Sequence, residues 1–176
     1  MFNRHLCGAI EALLFASGQP LLPERIAGIL DIHNDHVQTL INDMISSMAD
    51  EKRGLTIVEV AGGYQLCTKP LLFPIVSKLA DIQDNRLSTA ALETLAIVAF
   101  KQPVTRQEIE SIRGVNADRV IATLLDRLLI KEMGRKEAVG RPILYGTTNE
   151  FLQCFGLKSL DDLPTIASLL PTSPAG

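Results

Sequence analysis

Catalysis needs nucleophiles, acid–base pairs, metal ligands or anion-binding loops at workable spacing, and this chain offers few. Its histidines are His5, His33 and His36, so none stands near a Ser or Cys motif that could complete a nucleophilic constellation. His33 and His36 sit three positions apart, a spacing that could put two ligands on one helix face. No Cys accompanies them, and solvated surface histidines are the expected reading rather than a metal site. Cys7, Cys67 and Cys154 are scattered, with no CxxC pair, and read as small core residues of a reducing compartment. The run Gly134 to Pro142 has phosphate-loop-like glycines, but no Lys-Ser/Thr follows Gly140. No catalytic residue, cofactor or metal is therefore expected. What remains is recognition chemistry: Arg119, Arg127, Arg135, Lys136 and Arg141, with Tyr145 beside them.

The elements that must carry those residues are legible between Leu87 and Thr148. Ser88 or Thr89 can cap a helix in which Leu92, Leu95, Ala96 and Ala99 recur at helical spacing, and Gln102-Pro103 stops it. Thr105 to Glu108 reads as a capping box opening a second helix with Ile109 and Ile112, which ends at Gly114. Asn116 is positioned to cap a third, with Val120, Leu124, Leu125 and Leu128 as one apolar stripe. IKEMG and ILYGTT then read as two strands around the charged tip RKEAVGRP. Three helices and a hairpin in this order make a winged-helix domain.

The same plan occurs earlier. The helix Leu6–Ala16 has Leu6, Ile10, Leu13 and Leu14 on one face, while Ala9, Ala12, Phe15 and Ala16 leave the other almost as apolar. A helix apolar all round is buried on both sides. In so small a domain a second subunit is expected to cover the far side, making Leu6, Ile10, Leu14 and Phe15 the expected dimer contacts. Pro23 suits the first turn of a helix with Ile26, Ile29 and Leu30. Asn34 or Asp35 should cap a helix burying Val37, Leu40, Ile41, Met44, Ile45 and Met48. LTIVEV and YQLCT flank a Gly62-Gly63 turn, a strong hairpin signal. Ala9-Ile10-Glu11-Ala12-Leu13 matches Ala91-Leu92-Glu93-Thr94-Leu95, and Gln19-Pro20 matches Gln102-Pro103, so the halves are a diverged repeat.

The expected organisation is mainly α with small β-hairpins, an α+β chain of two tandem winged-helix domains. Residues 1–69 form the first and 70–86 a linker helix with Leu72, Ile75, Val76 and Leu79. Residues 87–156 form the second, closed by a helix from Asn149 to Phe155. Residues 157–176 form a short turn capped by Ser159 and a disordered Pro/Ser/Gly/Ala tail. The chain has 176 residues, 47% of them hydrophobic, with 12 glycines besides. Its mean hydropathy is +0.20. This apolar surplus needs an interface. No run is long enough to span a bilayer and no leader opens the chain, so a cytoplasmic protein without membrane contact is expected.

Winged helices often bind DNA, and the charges argue against it here. No Lys or Arg occurs between Ile26 and Glu51, while Asp31, Asp35, Asp43 and Asp50 do. In the second half Lys and Arg outnumber Asp and Glu from Lys101 to Arg141. A solvated wing tip, a protein-binding wing and specific DNA readout remain open there, in that order, because the pI of 5.6 lacks a nucleic-acid footprint. Any DNA contact should be weak and non-specific.

IEALLFASGQPL, GGYQLCTKP, LSTAALETLAIVAFKQPVTRQEIESIRGV and GRKEAVGRPILYGTT resemble the segregation and condensation protein B family, nearly throughout Ile10 to Pro164. The resemblance implies two winged helices, homodimerisation mainly through the first, and a non-enzymatic, nucleoid-associated role. It implies a kleisin partner, segregation and condensation protein A, bridging to an SMC ATPase in chromosome condensation and partition. Leu22-Pro23 departs from the more usual polar helix cap. The expected kleisin site pairs the helix Ala90–Phe100, whose one charge is Glu93, with the wing residues Arg135, Gly140, Arg141, Pro142 and Tyr145. Arg and Tyr commonly anchor interfaces, and Gly140 and Pro142 shape the turn. A winged-helix transcription regulator is the competing expectation.

Overall fold

The computed structural model describes residues 2–79 and 86–164. Its elements are α1 (Phe2–Ser17), α2 (Pro23–Leu30), α3 (Asn34–Met48), β1 (Leu55–Val60), β2 (Gly63–Thr68) and α4 (Phe73–Val76). There follow α5 (Thr89–Lys101), β3 (Val104–Thr105), α6 (Arg106–Arg113), α7 (Asp118–Asp126), β4 (Ile130–Arg135), β5 (Ile143–Thr147) and α8 (Asn149–Phe155). The fold is mixed α+β, with the winged-helix plan of three helices and a hairpin occurring twice.

Each plan closes on its own core. Ile10 and Leu14 of α1, Ile26 of α2 and Val37, Leu40 and Ile41 of α3 pack with Ile57 and Tyr64 of the first hairpin. Leu95 and Val98 of α5, Ile109 of α6 and Ile121 and Leu124 of α7 pack with Ile130, Tyr145 and Phe151. Each such fully buried aliphatic side chain contributes about 1.5–3 kcal/mol. The expected buried face of α3 is found, except that Ile45 is half-buried.

Local signals act where the physics required them. Ser88 Oγ accepts from Ala91 N–H at 3.2 Å, opening α5. The capping box closes as Thr105 N–H donates to Glu108 Oε2 at 2.8 Å and Glu108 N–H to Thr105 Oγ1 at 3.4 Å. Thr148 opens α8, and Gly156, at φ 64°, ends it.

Other expectations shift. The first hairpin turns at Ala61 and Gly62, both at positive φ, and Gly63 belongs to β2. Gly63 is needed for a different reason: a Cβ there would lie 2.7 Å from the Leu21 carbonyl oxygen, where Leu21 bridges Tyr64. Asn116 does not cap α7; Ala117 holds that position, and Asn116 Oδ1 accepts from Asp118 N–H at 3.1 Å. The helix ends at Asp126, so Leu128, at φ 58°, leaves the stripe and is 60% exposed, while Ile121 is buried in its place. His33 rather than Asn34 precedes α3. Among the described residues the linker helix consists of a 3-10 turn at Pro70–Leu72 and the single turn α4. Residues 80–85 of that expected helix, and the tail from residue 165, lie outside the described residues.

Two features had no forecast. β3 pairs with β5, Val104 opposite Tyr145, giving a three-stranded sheet in the order β3-β5-β4. The segment after α8 also reaches back to the first wing: Ala61 N–H donates to the Leu157 carbonyl and Gly62 N–H to that of Lys158, both at 2.9 Å. Lys158 Nζ lies 2.8 Å from Glu59, and this pairing raises the lysine's pKa. Among the described residues no helix is long and apolar enough to cross a membrane.

Candidate functional site

The second winged helix carries a groove of about 490 Å³ between its wing and the helices α6 and α7. Its floor is apolar, from Ile121, Ala122 and Leu125 on α7 and Ile143 on β5. Arg106, Gln107 and Asp118 form one rim, and Arg135, Val139, Gly140 and Pro142 the other. Tyr145 contributes an edge from below. It is 8% exposed and belongs to the core, and this burial, followed by the charge of Glu132, raises its phenol pKa.

The capping box positions the wing as well as starting a helix. Glu108 Oε2 takes Thr105, while Glu108 Oε1 accepts from Lys136 Nζ of the wing at 2.7 Å. The Lys136 hydrogen bond, then the two from Thr105, hold the carboxyl down to about 2. The wing closes on itself through Lys136 N–H to the Pro142 carbonyl at 2.9 Å. Arg135 Nη1 donates to the Arg141 carbonyl at 3.1 Å. On the opposite rim Arg106 pairs with Asp118, whose pKa is lowered first by the Asn116 amide and then by that arginine.

Of the expected wing residues, Arg135, Gly140, Pro142 and Tyr145 therefore line one groove. Arg141 does not; at φ 42° it presents its carbonyl to Arg135. The helix 90–100, expected beside the wing residues, does not line this groove. α5 lines a separate apolar groove of about 280 Å³, with Leu92, Ala96 and Phe100 facing Phe155, Leu163 and Pro164. α8 covers part of α5, as Phe151 is buried in one core with Leu95 and Ala99 of that helix; the Phe155 ring lies 4.9 Å from the Phe151 ring and tilted to it. Sequence reasoning missed Arg106 and Asp118 as groove residues and Glu108 as the residue that ties down the wing. Only the capping box signalled one of them, and nothing in the sequence showed that Lys136 returns to it.

In the first unit the expected dimer contacts separate. Ile10 and Leu14 are buried within their own protomer, Leu6 is half-buried, and Phe15 is 77% exposed. The face that α1 leaves open is instead Gly8, Glu11, Ala12 and Phe15, which with Leu55 and Leu66 line a groove of about 340 Å³. His33 lies 3.9 Å from Asp35 at the surface, and no group of three or more potential metal ligands occurs among the described residues.

A family model described as segregation and condensation complex subunit ScpB matches residues 8–166. The segregation and condensation protein B of Moorella thermoacetica is 49% identical over 165 residues, covering 94% of this chain and 85% of that one. The crystal structure of ScpB from Mycobacterium tuberculosis is 34% identical and covers 88% of this chain and 97% of that one, with a TM-score of 0.43. A crystal structure of a dimer of the ScpB N-terminal domain complexed with an ScpA peptide is 31% identical over 44% of this chain and 96% of that one. Its TM-score is also 0.43.

Proposed function

The chain belongs to the ScpB family of segregation and condensation complex subunits, and we propose that it acts there without catalysis, as a homodimer that grips the kleisin subunit. The kleisin, segregation and condensation protein A, connects it to the SMC ATPase in chromosome condensation and partition, on the nucleoid in the cytoplasm. The observation that carries this reading is the groove of the second winged helix. Its apolar floor of Ile121, Leu125 and Ile143 lies between a rim on which Arg106 is paired with Asp118 and a rim that carries Arg135. Such a shape suits one turn or more of an amphipathic segment, apolar residues inward and polar residues toward the rims. Residues 70–86 serve as the connection between the two winged helices.

DNA readout is less well supported. A recognition helix needs free cations for phosphates. α3 carries no Lys or Arg, and on the second wing Lys136 is held by Glu108 while Arg135 holds the Arg141 carbonyl. Calorimetric titration with a peptide from the central part of the kleisin encoded in the same genome tests the reading. Wild-type chain should bind it, and Leu125→Asp should weaken binding at least thirtyfold, since one buried unpaired charge costs several kcal/mol. Leu125 is half-buried at the groove floor, so its circular dichroism and melting curve must accompany the titration. A folded Leu125→Asp chain that binds as tightly as wild type would refute the site.

A further inference from the structure

The segment joining the two winged helices exposes more large apolar surface than any other described stretch of its length. Leu71 is 71% exposed, Phe73 65%, Ile75 67% and Leu79 91%. A linker that only spanned a distance would be polar. This stripe starts beside the open face of α1. Leu72 sits against Gly54, where an added Cβ would meet its Cδ1 at 3.3 Å, and the next residue, Leu55, lines the α1 groove. Phe15, 77% exposed, stands at that groove's mouth.

We propose that the segment Pro70–Leu79 of one copy lies in the α1 groove of a second copy, reciprocally about a two-fold axis. This rests on the dimer reading and specifies its contacts. Three observations select a second copy as the occupant. The face carries both halves of a self-complementary contact: projecting Phe73 and Ile75, and a groove floored by the small residues Gly8 and Ala12. A two-fold interface requires that combination. The charges match as well. Glu11 is the one charge lining the groove and Lys78 the one charge in the segment, and neither has an ion-pair partner among the described residues. The area is also sufficient. At about 150 Å² per large side chain, Phe15, Leu71, Phe73, Ile75 and Leu79 would bury roughly 550 Å² per copy. Leu55, Val76 and Ala12 bring this toward the roughly 800 Å² per partner of a standard interface.

Sedimentation of the full chain, with melting curves alongside, tests the inference. Wild type should be dimeric. Phe73→Asp with Ile75→Asp should raise the dimer dissociation constant at least thirtyfold and lower the melting temperature only by what dimerisation supplies, because both side chains are exposed in the protomer; the variant's melting should then be independent of concentration. Lys78→Glu and Glu11→Lys should each weaken the dimer severalfold, and the double exchange should restore it. With Cys7, Cys67 and Cys154 replaced by Ser, mixed copies carrying Ala12→Cys and Ile75→Cys should on air oxidation form a disulfide that joins one copy of each kind. A monomeric wild type would remove the dimer reading itself. A dimeric wild type unaffected by the Phe73/Ile75 change would overturn the linker contact alone. A Phe73/Ile75 variant that stays dimeric and loses the kleisin peptide would assign the stripe to the kleisin, which equally overturns the proposal.

Discussion

Glu108 joins the start of α6 to the wing, and its two roles can be separated by substitution. Glu108→Gln keeps an oxygen for Thr105 N–H, since Gln serves in a capping box as Glu does. It loses the charge that Lys136 holds at 2.7 Å. Glu108→Ala loses both. The lost hydrogen bond from Thr105 N–H costs about 1 kcal/mol. The lysine contact adds about 0.5 kcal/mol, because both side chains are nearly half exposed and water screens them. Glu108→Gln should therefore cost about 0.5 kcal/mol and Glu108→Ala about 1.5 kcal/mol. For a unit of this size that lowers the melting temperature by roughly 2–4 °C and 6–12 °C respectively. The pH dependence gives an independent check. In the folded chain the carboxyl is held down to about 2, well below its ordinary value of 4.5. The stabilisation is thus fully present above about pH 5 and is lost as pH falls toward 2. Calorimetric scans across that window should show wild type and Glu108→Gln converging as the acid limit is approached. Curves that stay parallel down to pH 2 would refute the assignment of the tie to an ionised Glu108. So would a Glu108→Gln chain that melts with wild type at neutral pH.

Other perturbations test other parts of the molecule. Gly63→Ala should cost about 2–3 kcal/mol by urea unfolding, since its Cβ would strike the Leu21 backbone rather than a side chain that can turn aside. Tyr145→Ala should cost about 3 kcal/mol while Tyr145→Phe stays near wild type, because the ring fills the second core. Lys158→Glu should set like charges beside Glu59 and loosen the contact between the C-terminal segment and the first wing, read as an increased radius of gyration in solution scattering.

The sequence made most helices legible because their signals are local: a proline at the first turn of α2, the Thr105/Glu108 box, the Thr148 and Gly156 ends of α8. It misplaced features decided by tertiary approach. Gly63 looks like a turn glycine, yet the carbonyl of Leu21, distant in sequence, is what excludes a side chain there. Leu128 continues the period of α7, but the chain turns left-handed at that residue and exposes it. The two-residue β3 is too short to have a pattern. At the groove, the residue types Arg135, Pro142 and Tyr145 were visible, while their partners were not. Arg106 meets Asp118, and Glu108 meets Lys136, only after α6, α7 and the wing have packed. The all-round apolar character of α1 goes with a large apolar side chain, Phe15, left exposed. Spacing alone could not say that Ile10 and Leu14 face inward and Phe15 outward.

The central claim is that the kleisin lies in the groove between the second wing and α7. Photo-crosslinking tests it most directly, with a photoreactive residue placed singly at Val139, Ala122 or Asp43 of the full chain and the kleisin added. Val139 and Ala122 line the groove, and Asp43 lies on α3 of the other winged helix. Crosslinks from Val139 and Ala122 to one short kleisin segment, with none from Asp43, are the predicted result. A kleisin that binds, yet crosslinks to neither groove position, would contradict the claim.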